Sequence, residues 1–77
     1  MPRTRRAASS ARTYFGTRAR AVRHAKGLTL EEVAERSDLA WSYIASVERG
    51  ERNISIDNMA ALAEALRVPL RDLLPEA

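Results

Sequence analysis

Seventy-seven residues, 45% of them hydrophobic and 30% charged, suit one small domain with a modest core. The absence of cysteine excludes disulfides and thiolate zinc sites, and no apolar run is long enough to span a membrane. The net charge of +3 conceals an asymmetry: residues 1–26 hold eight Lys/Arg and no acid, whereas residues 27–77 hold five Arg against ten Asp/Glu, which points one half toward a polyanion unless the basic stretch serves only solubility.

The chain opens with MPRTRRAAS, three arginines and a proline without aromatic or branched apolar residues. Residues 1–9 are therefore expected to be a flexible basic arm, either a frayed terminus or an arm that tracks phosphates or enters a minor groove. Its arginines are not followed by an apolar stretch, so no secretory leader is expected. Residues 10–77 are expected to form the folded domain. A first helix is predicted from Ser10 or Ala11 to Lys26, with Phe15, Ala19 and Val22 as its buried stripe and Gly27 as its stop. Arg12, Arg18, Arg20 and Lys26 are expected to be solvated or near DNA, and Tyr14 suits either the core edge or the surface. His24 is the sole histidine, so no metal site is expected.

Thr29 with Glu32 forms a capping box, which starts a second helix. Val33 and Ala34 face inward there, and Glu31, Glu35 and Arg36 face water. Ser37, Asp38 and Leu39 make a turn that drops Leu39 into the core. A third helix runs from about Ala40 to Arg49, with Ile44 and Val47 buried and Gly50 in a left-handed closing position. Its outer face carries Trp41, Ser42, Ala45 and Ser46, with Tyr43 at the edge. Arg49, Arg52 and Asn53 follow at its end, and only positive charge is expected near the tip. A major groove admits one helix, and its base edges and phosphates suit such a face. Trp41 alternatively covers the core from the side.

Ser55 reads as the cap of a fourth helix, with Asp57 in its first turn and Ile56, Met59, Leu62, Ala63 and Leu66 as its apolar stripe. Pro69 opens a fifth helix, Leu70, Leu73 and Leu74 face inward or toward a partner, and Pro75 ends it. A glycine-rich phosphate loop is missing, and no serine has a recognisable histidine–acid partner, so catalysis is not expected.

The run LTLEEVAERSDLAWSYIASVERGERN resembles the helix-turn-helix of the lambda-repressor and Cro-like regulators. ERGERNISIDNMAALAEAL is most similar to the controller proteins of restriction–modification systems within that group. The resemblance covers about Phe15 to Leu74 and rests on Arg23, Gly27, Thr29, Glu32, Ala34, Tyr43, Ile44, Glu48, Arg49, Gly50 and Asn53 in register. It implies an all-α, five-helix domain with the helix-turn-helix at helices two and three. It also implies a transcriptional regulator of double-stranded DNA in the bacterial cytoplasm, on the nucleoid, with no cofactor and no metal. By the same resemblance, Trp41, Ser42, Tyr43, Ser46 and Arg52 would contact bases. Thr29, Arg49, Asn53 and the backbone N–H groups opening helices two and four would contact phosphates, and Arg23 would pair with Glu48. A homodimer would form through Leu66, Val68, Leu70, Leu73 and Leu74, unless these residues simply finish the core. An activator would also touch RNA polymerase.

Three positions depart from the family pattern. Leu30 replaces a glutamine that often grips a phosphate, Trp41 replaces an arginine or other polar residue, and Arg67 replaces a glycine. An indole cannot make a bidentate bond to guanine, but it can pack on a thymine methyl. Leu30 and Trp41 support the alternative reading, a helix-turn-helix that contacts a protein, antitoxin-like or polymerase-contacting, and binds DNA weakly.

Overall fold

The computed structural model describes residues 10–76, so the arm expected over residues 1–9 lies outside the described residues. Four α-helices and one short 3-10 turn follow in order: α1 Ser10–Ala25, α2 Leu30–Ser37, α3 Trp41–Glu48, α4 Ile56–Leu66 and the 3-10 turn Leu70–Leu73.

Helix α1 buries Phe15, Ala19 and Val22 on one stripe, while Tyr14 stands outside it. Gly27 takes a positive φ of 68°, which lets the Leu28 N–H reach back 3.0 Å to the Arg23 carbonyl and closes the helix. Gly16 sits in the middle of α1 and is buried. A side-chain carbon built there would overlap the backbone carbonyl oxygens of Val47 and Glu48. The two helices therefore meet backbone to backbone, and only glycine permits that approach.

Helix α2 starts on the capping box: Thr29 Oγ1 accepts the Glu32 N–H at 3.0 Å, and Glu32 Oε1 accepts the Thr29 N–H at 2.8 Å. Asp38 ends the helix in the left-handed region, φ 62°, a conformation that Asp tolerates better than most residues. Helix α3 is one residue shorter at each end than its apolar pattern predicts. Ala40 is extended and offers no side-chain cap, and Arg49 serves as the C-cap. Ile44 and Val47 are fully buried, and Gly50 turns with φ 75°.

Helix α4 is capped by Ser55 Oγ, which accepts the Asn58 N–H at 3.1 Å. It buries Leu62, Ala63, Ala65 and Leu66. Ile56, expected in that stripe, is instead 60% exposed. Ile56 is the first residue of α4, and helical side chains tilt toward the N-terminus, here away from the body of the helix. Arg67 holds the left-handed position that closes α4, φ 61°, and Lys26 Nζ donates to its carbonyl at 3.3 Å.

The fifth element is a 3-10 turn rather than an α-helix. Pro69 and Pro75 leave five residues between them, too few to nucleate a stable α-helical turn. Asp72 N–H bonds the Pro69 carbonyl at 2.9 Å instead. Its Leu73 is fully buried beside Leu66 in the core. Of the two roles the sequence leaves open for Leu66 and Leu73, their burial within the chain's own interior suits the completion of the core. Val68, Leu70 and Leu74 remain half-buried at its edge. Phe15, Ile44, Leu62, Leu66 and Leu73 are the large side chains removed from water, each worth about 1.5–3 kcal/mol. Around them α1 packs on α3 and α4, and α2 on α3 and α4, which leaves the outer side of α3 uncovered.

Candidate nucleic-acid interface

The position of α3 is set by Arg23 and Glu48. Arg23 Nε donates to Glu48 Oε2 at 2.7 Å and Nη2 to Oε1 at 2.9 Å, the two parallel bonds of a guanidinium–carboxylate fork. Arg23 Nη1 also donates to the Leu28 carbonyl at 2.9 Å. The hydrogen bond to Glu48 raises the Arg23 pKa against the opposing effect of burial. One side chain thus ties α1, the turn before α2 and the end of α3 together.

The outer side of α3 carries Trp41, 54% exposed, and Ser42, also exposed. Tyr43 is half-buried, and its hydroxyl accepts a hydrogen bond from Asn58 Nδ2 of α4 at 3.1 Å. Arg52, beyond the helix, places its guanidinium carbon 5.3 Å from the centre of the Tyr43 ring, within range of a cation–π contact. Arg52 Nε also reaches Ser46 Oγ at 3.4 Å.

Ser46 was expected on the open face, and its placement corrects that: it is only 9% exposed. Its hydroxyl donates to the Tyr43 carbonyl at 2.7 Å, the usual resting place for a serine within a helix. Ser46 therefore stands beneath Arg52 rather than on the surface beside it. The structure gathers Tyr43, Ser46, Arg52 and Asn58 into one group and leaves Trp41 and Ser42 at the other end of the helix.

Each of the three expected phosphate ligands has a partner within the chain. Arg49 is exposed and paired with Glu51, Nε to Oε1 3.1 Å, so the tip is not purely positive. Asn53 Oδ1 accepts from Arg12 Nη2 at 2.6 Å, which anchors the loop after α3 to α1. Thr29 is exposed and engaged in its capping box. Three participants escaped the sequence reading. Gly16 had a signal, a glycine inside an otherwise regular helix. Asn58 and Arg12 had none, because their partners lie 15 and 41 residues away. Among the described residues no cluster of His, Asp or Glu is arranged to hold a metal ion, and no helix is long and apolar enough to cross a membrane.

Two short helices joined by a tight turn, the second fixed by a buried ion pair and open on its outer side, define a helix-turn-helix domain. The chain belongs to the helix-turn-helix family, whose model matches residues 20–73. Within that family it is similar to restriction–modification controller proteins. It is 41% identical over 64 residues to the control protein C.BamHI of Bacillus amyloliquefaciens, covering 82% of this chain and 79% of that one. It is 42% identical over 55 residues to the control protein C.SmaI of Serratia marcescens, covering 71% and 66%. The crystal structure of the controller protein C.AhdI from Aeromonas hydrophila superposes with a TM-score of 0.81 at 44% identity, covering 86% of this chain and all of that one.

Proposed function

We infer that this protein is a transcriptional regulator that binds a specific double-stranded DNA sequence, working as a homodimer in the manner of a restriction–modification controller protein. The observation that carries the reading is the outer face of α3: Trp41 and Ser42 project from its start, and Arg52 is held at its end by the Tyr43 ring and Ser46. A helix so exposed, with a pre-positioned guanidinium at one end, suits a major groove, where arginine reads guanine in a bidentate manner. Trp41, Ser42, Tyr43 and Arg52 would face bases, with Ser46 supporting Arg52. Arg49, Thr29 and Asn53 would hold phosphates, Asn53 through the amide NH2 because its oxygen is taken by Arg12.

Two such helices on a twofold axis would read half-sites about 34 Å apart, roughly 10–10.5 base pairs, so the operator should be a near-palindrome. Val68, Leu70 and Leu74, at the edge of the core, are the residues left to form the dimer contact. A regulator of this kind would act in the bacterial cytoplasm, and an activating role would add a contact to RNA polymerase. The family match and the named relatives favour DNA over the protein-interaction alternative.

The test is a gel shift on the DNA just upstream of the protein's own gene. Specific retardation is expected, and wild-type protein that retards that DNA no better than random duplex overturns the reading. Arg52→Ala should cost about 1–3 kcal/mol by an amount that differs between operators. Arg49→Ala should weaken all duplexes alike and flatten the salt dependence.

A further inference from the structure

Beside the exposed face of α3 lies a cleft lined by Arg20, Arg23, Leu30, Ala45, Glu48 and Arg49. Arg23 and Glu48 neutralise one another within it. The remaining charges are Arg20 and Arg49, both positive and both exposed. Arg49 is shared with Glu51, but both partners of that pair are more than half exposed, and surface pairs of this kind are worth at most about 1 kcal/mol. An arriving anion can take Arg49 from Glu51 at little cost.

Arg20 differs from the other arginines of α1. Arg12 is bound to Asn53, Arg18 to the Asp72 carbonyl and Arg23 to Glu48. Arg20 makes no hydrogen bond or ion pair among the described residues, and it borders this cleft. Leu30 stands at the same place, half-buried, and gives the cleft an apolar wall. Two guanidinium groups beside one hydrophobic surface match a phosphate joined to a sugar: the charge meets the cations and the ring carbons meet the leucine.

We propose that this cleft is a subsite for one phosphate of the DNA backbone and its deoxyribose, held by Arg20 and Arg49 against Leu30. The subsite rests on the DNA-binding reading above and adds Arg20 to it. In this chain the grip at the start of α2 comes from a cation on α1, so an apolar residue at position 30 is compatible with a backbone contact there. Because a phosphate carries no sequence information, Arg20 contributes to every duplex equally.

The experiment is a binding titration of the full chain against operator and random duplexes at several salt concentrations. The variants are Arg20→Gln and, as a control on the far side of α1, Arg18→Gln. With Arg20→Gln, affinity for both duplexes should fall by the same factor, and the slope of log affinity against log salt should shrink by about 0.9, the value of one lost phosphate contact. Arg18→Gln should leave the slope unchanged. An unchanged slope in Arg20→Gln, or an equal drop in Arg18→Gln, overturns the subsite, the latter because the effect would then be general charge. Wild-type protein without duplex binding fails the regulatory reading itself, a distinct result. Should Arg20→Gln unfold, the arginine Nε–Hε resonances of the wild type decide the matter on addition of a short duplex. Movement of the Arg20 signal with that of Arg18 fixed supports the subsite, and a stationary Arg20 signal overturns it.

Discussion

Glu48 is a half-buried acid whose two oxygens both serve Arg23. Removing it strands an arginine whose side chain is 11% exposed, and breaking a buried pair from one side costs about 3–5 kcal/mol. Glu48→Ala should therefore lower the melting temperature sharply in a thermal or urea unfolding curve, and a variant that melts with the wild type would show the pair to be dispensable. Gly16 makes a second demand at a single position. Since the Val47 and Glu48 carbonyl oxygens occupy the space of any side chain there, Gly16→Ala should cost about 1–3 kcal/mol of stability through overpacking. This is so although alanine is the better helix former by about 1 kcal/mol. A Gly16→Ala chain more stable than the wild type would mean that α1 and α3 can separate cheaply. The Arg23–Glu48 pair was legible in the sequence only through family resemblance, because nothing local links residues 25 apart. Gly16 was visible as an oddity, but its reason lies on another helix.

Among the elements, α2 has a pH-dependent start. The Glu32 carboxylate is held below its ordinary range, first by the hydrogen bond from the Thr29 backbone N–H. Because the folded pKa is depressed, the contribution of the cap is complete above the ordinary value of 4.5 and fades as pH falls through the lower folded value. Glu32→Gln should flatten the part of the acid limb of the stability curve below about pH 4.5 while changing neutral stability only slightly. An acid limb identical to that of the wild type would remove Glu32 from the account. The boundaries of α1, α2 and α4 were legible because their signals are local: Gly27, the Thr29–Glu32 box and Ser55 act within four residues of the helix end. Pro69 is a helix-starting signal in the sequence, but the short interval to Pro75 makes the last element a 3-10 turn. Ser46 was misplaced for a related reason. Helical periodicity puts it beside Ser42 on one face, but the loop returning through Arg52 brings a charged side chain onto its hydroxyl.

For the whole molecule, the proposed dimer has its own measurement. Val68, Leu70 and Leu74 are what the protomer leaves half-buried once Leu66 and Leu73 are used internally. Sedimentation at micromolar concentration should show particles of twice the 8.6 kDa chain mass, and Leu70→Glu should return them to single chains. Particles of 8.6 kDa alone from the wild type would remove the twofold operator with it. What the sequence determined by itself was the four α-helices, the caps of α2 and α4, most of the core stripe and the family, since each is written in spacings of three or four residues or in a contiguous motif. What only the tertiary structure decided was which leucines the core consumes, that α1 and α3 touch through a glycine, and which arginines are already bound. Those outcomes depend on atoms brought together from 15 to 54 residues apart, and chain order carries no local signal for such encounters.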